Sequence, residues 1–181
     1  MSFSTKVKEE IAKHSSHSRH CQIAELLALL LATGEVIFDD GQVRLIMRPE
    51  NPLIGDKICR LIDQLFEEKI EYVRHPKYIE IQDDSMVEKV LQMVKLSDYV
   101  DYMEEDWLDD DELSGIDEDE IVYVSSHGVS LQNCHFPKQV VQKDCCKKAF
   151  VRGIFPASRS FPSCICRYKS SSWLKVLSIA A

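Results

Sequence analysis

Two groupings of histidine and cysteine stand out among the residues that could do chemistry. His14, His17, His20 and Cys21 lie close together, and Cys134-His135 is followed by Cys145-Cys146. Thiolate and imidazole are the donors that Zn²⁺ prefers. The first grouping lacks a recognised finger spacing, and the second is the better metal candidate. The first falls in a polar break and reads as a surface cluster. The second reads as packing, because adjacent cysteines rarely ligate one ion comfortably. The expectation is therefore no metal and no cofactor. A Cys–His nucleophilic pair has the right atoms, but nothing in the spacing orders one. Cys164 and Cys166 stand in a tail without clear periodicity, and there is no Gly-rich phosphate loop. The seven cysteines are odd in number and lack a framework spacing. They read as free thiols of a cytoplasmic chain.

Charge supplies the other chemistry. The net charge is -8, an unpromising sum for a nucleic-acid binder, but the charges are unevenly placed. Of the 30 acids, 13 lie between Asp98 and Glu120 with no Lys or Arg among them, leaving 22 bases against 17 acids elsewhere. From Pro137 onward there are nine bases, among them Lys138, Lys143, Lys147, Lys148 and Arg152, and one acid, Asp144. Lys147 and Lys148 are candidates for phosphate contact, which grips without reading sequence. The alternative is a solvated helix face. Arg44, Arg48, Arg74 and Lys77 fall on expected strands or turns.

The elements that must position these residues follow from periodicity. Phe3, Val7 and Ile11 predict a helix over residues 3–14, with Ser2 or Ser4 as its cap. Residues 14–20 form a polar break. Cys21 to Thr33 is the strongest helix, with Gly34 as its C-terminal cap. Glu35 to Phe38 and Gln42 to Met47 flank Asp40-Gly41 as a hairpin. Pro52 to Phe66 is an amphipathic helix. Ile70 to Arg74 and Tyr78 to Gln82 form a second hairpin about His75-Pro76-Lys77, and Val87 to Val94 is a further helix. Ile121 to Val124 reads as a short strand. Hairpins joined by helices predict an α+β layout, an antiparallel sheet covered on one face. No apolar run approaches the roughly 18 residues of a membrane span, and MSFSTKVKEEIAKH lacks an apolar signal core.

A shift of 125 residues aligns two segments. Cys21 falls on Cys146, Ala24 on Ala149, Ala28 on Gly153, Ala32 on Ala157 and Thr33 on Ser158. Residues four apart share a helical stripe. Ala24, Ala28 and Ala32 on one helix, and Ala149, Gly153 and Ala157 on the other, would let two helices approach closely. Two pseudo-symmetric halves are expected, their first helices packed together.

Leu26 to Gly34 reads LLALLLATG, and Val151 to Arg159 reads VRGIFPASR. Both resemble the LAGLIDADG motif of homing endonucleases. Ala28 stands at its small residue, Thr33 at its second acid and Gly34 at its closing glycine. More specifically, MSFSTKVKEEIAKH, CQIAELLALLLATGEV, RPENPLIGDKICRLIDQLF and QKDCCKKAFVRGIF resemble the WhiA family of bacterial regulators, from Met1 to about Phe155. The resemblance implies a degenerate LAGLIDADG domain and a C-terminal helix-turn-helix. It also implies a DNA-binding role in sporulation gene control, cell division or chromosome segregation. Three departures stand out. Pro156 lies inside the second motif helix, Arg159 replaces its glycine, and the likeness stops after Ser160. No helix-turn-helix pattern is found. The copy reads as truncated, with residues 156–181 not native family sequence.

The expected organisation is an N-terminal helix and break at 1–20, a first LAGLIDADG-like half at 21–95, an acidic linker at 96–126 and a shortened second half at 127–181. With its strands missing, that second half would leave Ile154 and Phe155 exposed. Active members of the endonuclease group need an acid at the end of each motif helix to hold divalent metal. Here those positions are Thr33 and Ser158, so no catalytic residue is expected. Glu35 is the nearest substitute, and no matching acid lies near Ser158. In that fold the sheet faces DNA, which makes Arg44, Arg48, Arg74 and Lys77 the contact candidates beside Lys147 and Lys148. The function expected is a non-catalytic DNA-binding regulator. A protein-interaction module or inactive fragment is the first alternative, and a residual metal-dependent nuclease the second. DNA and protein partners are expected, and no membrane.

Overall fold

The structure, a computed structural model, describes residues 3–14, 16–39, 41–97, 127–131 and 137–157. Helix α1 spans Phe3–Lys13 and α2 spans Arg19–Thr33. Ser4 falls within the span of α1, and Ser2 is outside the described residues. Strands β1 (Gly34–Asp39) and β2 (Gln42–Met47) form the first hairpin, followed by α3 (Pro52–Leu65). The second hairpin is β3 (Val73–His75) with β4 (Tyr78–Ile81), followed by α4 (Asp84–Val94). Strand β5 (His127–Ser130), a 3₁₀ turn at Lys138–Val141 and helix α5 (Asp144–Ala157) complete the described chain. No helix among the described residues is long and apolar enough to cross a membrane.

All strand pairs are antiparallel, in the order β3-β4-β2-β1-β5. The α+β reading is borne out, with boundaries adjusted. Gly34 does not turn left-handed after α2. Its φ of -89° and ψ of 147° make it the first residue of β1, while its N–H still donates to the Leu30 carbonyl. Glycine is needed there for closeness: an added Cβ would sit 2.6 Å from the Leu30 oxygen and 2.9 Å from Leu131 Cδ1. Gly41 supplies the positive φ of the first turn, at 77°. Strand β3 is shorter than expected. Ile70, only 3% exposed, leaves the strand path to join the core.

Local caps explain the other ends. The Asn51 side chain accepts from Leu53 N at 2.9 Å, ahead of Pro52 in the first turn of α3. The Asp83 carboxylate accepts from Met86 N at the start of α4. The Ser85 hydroxyl, and then that bond, hold the Asp83 carboxyl below its ordinary range. Lys95 closes α4 in the left-handed region at φ 61°, with Leu96 N donating to Leu91 O.

The alternation of the strands sets the two faces. Val36, Leu45, Met47, Ile79 and Ile81 point into the core against α3 and α4, through Ile58, Ile62, Leu65, Val87, Val90 and Val94. Helix α2 runs through the middle and is buried nearly all round, as an apolar helix must be. Helix α5 packs most heavily on α2, and α1 covers part of it. The expectation of an uncovered second helix is corrected: Ile154 is 3% exposed, and Lys8 lies 5.9 Å from the centre of the half-buried Phe155 ring. Pro156 is the penultimate residue of α5, so it removes a single bond from the last turn and the helix persists. The expected strand at Ile121–Val124 lies outside the described residues. Strand β5, which begins six residues after the start of that segment, pairs with β1.

Candidate functional site

The acid position at the end of α2 is chemically closed. Thr33 is buried, and its hydroxyl donates to the Leu29 carbonyl at 2.8 Å. A neutral hydroxyl already bonded to its own helix offers no charge to a divalent ion. Glu35 is placed by strand alternation on the face of the sheet away from the helices, where its carboxylate pairs with Arg48. Ser158, the matching position of the second helix, lies outside the described residues.

The two helices meet as parallel neighbours. Cys146 lies beside His20 at one end, and Gly153 faces Ala28 further along. Ala24, Ala28 and Ala149 have no exposed surface, Ala157 is buried and Ala32 half-buried. A Cβ on Gly153 would lie 2.7 Å from Ala28 Cβ and 2.7 Å from the Glu25 carbonyl oxygen, so the backbones are as near as their side chains permit.

Beside this contact sits a buried polar group that no local sequence pattern announces. Glu25 is fully buried on α2, and its carboxylate lies 2.6 Å from the ammonium of Lys57 on α3, itself 1% exposed. The Ser16 hydroxyl donates to Glu25 at 2.9 Å, and Arg152 of α5 donates to Ser16 at 2.8 Å. Lys57 also donates to the Ile11 carbonyl of α1 at 3.1 Å. Burial lowers the pKa of Lys57, and Glu25 offsets part of that shift. This group ties α1, α2, α3 and α5 together. It also takes Arg152 out of the basic run, turning its side chain toward the core.

The candidate DNA contacts do not form one surface. Arg44 and Arg48 share the outer face of the sheet with Glu35, Asp39 and Glu80. Arg44 lies 2.5 Å from Asp39 and 3.4 Å from Glu80. Arg74, opposite Ile79 in the register, points to the helix side and pairs with Asp56 of α3. Lys77 is exposed on the second hairpin turn. Lys147 lies 2.8 Å from Asp144, and Lys148 is exposed on the first turns of α5. That end of the helix pair is about 18 Å along α2 from Thr33, by the rise of about 1.5 Å per residue. A groove along β3 and β4 is lined by Asp63, Glu67, Glu68, Glu71, Glu80 and Asp83 against one lysine, Lys69, an arrangement that repels phosphate.

Half of each sequence-level His/Cys grouping comes together. His20 and Cys21, at the start of α2, meet Cys145 and Cys146, at the start of α5. His14 and His17 are exposed and take no part in this group. Cys134 and His135 lie outside the described residues. The four side chains place their donor atoms within 4.8 Å of one another. His20 Nδ1 is 3.2 Å from Cys146 Sγ, 3.3 Å from Cys21 Sγ and 4.0 Å from Cys145 Sγ. Burial, with help from the neighbouring thiols, raises Cys21 to about 11. Burial also raises Cys146.

Two parallel helices joined along small residues, the first running straight into an antiparallel sheet, define a LAGLIDADG-like scaffold. The family model of the WhiA N-terminal LAGLIDADG-like domain matches residues 19–96, and that stretch of the chain belongs to this family. The chain is 35% identical over 163 residues to a probable cell division protein WhiA of Lachnospira eligens, covering 86% of this chain and 43% of the relative. It is 34% identical over 170 residues to a protein of the same description in Lachnoclostridium phytofermentans, covering 88% and 46%. A third, from Clostridium botulinum, is 28% identical over 155 residues, covering 86% and 44%. The chain thus spans less than half the length of the curated relatives it matches. No solved structure matches it.

Proposed function

We propose that this chain is a non-catalytic regulator of the WhiA type, acting in the cytoplasm on cell division, chromosome segregation or sporulation genes, with DNA as its partner. The observation that carries the non-catalytic part is Thr33: the position that needs a carboxylate holds a hydroxyl bonded back to Leu29. The nearest acid, Glu35, is paired with Arg48. DNA contact is assigned to the outer face of the sheet and its turn, through Arg44, Arg48 and Lys77. It is a weak and sequence-blind grip, because Arg44 and Arg48 must share their charge with Asp39, Glu80 and Glu35.

A salt titration on nonspecific duplex tests this. Each phosphate neutralised contributes about -0.9 to the slope of log affinity against log salt, so three cations give no more than about -3. Arg48→Glu with Lys77→Glu should flatten the slope by about 2. Both side chains are exposed, so folding survives. A slope unchanged by the double substitution would remove the sheet from the interface. The acidic groove and the paired arginines favour a second reading, a protein-interaction module. No binding even at low salt would select that reading.

A further inference from the structure

We propose that His20, Cys21, Cys145 and Cys146 form a zinc-binding site that staples the N-terminal ends of α2 and α5. The donor set is one imidazole nitrogen and three thiols, and four such ligands complete a structural zinc centre. The distances fit. Tetrahedral zinc, with bonds of about 2.3 Å to sulfur and about 2.0 Å to nitrogen, separates nitrogen from sulfur by roughly 3.5 Å. The three separations from His20 Nδ1 are 3.2, 3.3 and 4.0 Å. All the sulfurs lie within the 4.8 Å envelope, so small side-chain rotations suffice.

The site has the symmetry of the fold. The 125-residue shift that superposes the motif helices also places His20 on Cys145 and Cys21 on Cys146. Each half contributes two adjacent donors from the first turn of its helix, which is how adjacent residues come to serve one ion. Both helices point their N-termini at the cluster, and each terminus carries roughly half a positive charge, which favours thiolate. That partial charge offsets the single negative charge left when three thiolates and a neutral imidazole bind a divalent ion. Cys21 and Cys146 are buried while His20 and Cys145 are exposed, so the site is anchored on one side and reachable from the other. A divalent cation bound by the three thiols takes them as thiolates and releases their protons.

The test uses the full 181-residue chain, reduced, stripped with chelator and kept free of oxygen. Cobalt(II) is titrated as the spectroscopic stand-in, then displaced by zinc. The expected result is one cobalt per chain, with thiolate-to-metal charge transfer and the intense visible bands of tetrahedral geometry. Zinc should erase both and raise the melting temperature. His20→Ala and Cys145→Ser, both at exposed positions, should each weaken binding at least about tenfold and alter the bands, with helix content unchanged. Replacing Cys134, Cys164 and Cys166 together with serine should change nothing. A six-coordinate spectrum without charge transfer, or binding indifferent to Cys145→Ser, overturns the proposal. So does a disulfide within the cluster that persists in the reduced preparation.

Discussion

Placing alanine at Gly153 should destabilise the chain by about 1–3 kcal/mol, although alanine is the better helix former by about 1 kcal/mol. The added Cβ meets Ala28 Cβ and the Glu25 carbonyl oxygen, both at 2.7 Å. One is the stub of a side chain with no freedom and the other is backbone, so neither can move aside. The helices must separate, and the apolar contacts on both sides of the stripe weaken with them. Leucine at the same place should cost more and populate an unfolded or self-associating state. Urea unfolding reads the effect, as does a fall in melting temperature of roughly 2–4 °C per kcal/mol for a chain of this size. Ala28→Gly should restore part of the loss in a double-mutant cycle, since it removes the atom in the way. A Gly153→Ala chain more stable than the wild type would mean that propensity governs and that α2 and α5 do not touch there.

The Glu25–Lys57 pair gives the second large effect. Lys57→Met leaves a buried carboxylate with Ser16 and a distant Arg152 as its remaining partners. Breaking such a pair from one side costs about 3–5 kcal/mol. Changing both residues to apolar side chains of similar volume should cost far less, because two desolvated charges are removed together. The expected pattern in urea unfolding is therefore a single variant worse than the double one. Equal losses would show that the methylene packing of Lys57 matters and its charge does not. Because the pair joins α2 to α3, with Arg152 and Ser16 reaching it from α5 and the first loop, the single variant should also loosen α5.

Much of this architecture could be read from residue patterns. The Ala24–Ala28–Ala32 stripe and its counterpart at Ala149–Gly153–Ala157 depend only on helical period and residue size, and the structure sets Gly153 of the second stripe against Ala28 of the first. The hairpin at Gly41 depends on a local turn preference. What escaped depends on tertiary distance. Glu25 looks like any acid within a leucine-rich helix until Lys57, on another helix, arrives 2.6 Å away. Arg74 reads as one of the basic sheet residues by sequence, but its register opposite Ile79 turns it to the helix side. In strand β5 Val129 is buried between the exposed Gly128 and the half-buried Ser130, too little apolar pattern to announce a strand. Proximity in sequence divides the His/Cys cluster between two groupings. The 125-residue shift, which already places Cys21 on Cys146, joins its halves.

In the proposed function a nuclease-like scaffold persists here without nuclease chemistry. Incubating the chain with supercoiled plasmid and Mg²⁺, and following nicked and linear products, tests this. No cleavage above a chelator-treated control is expected, with Thr33 bonded to Leu29 and Glu35 held by Arg48. Mg²⁺-dependent nicking that disappears with Glu35→Gln would contradict it, and would make Glu35 a working ligand.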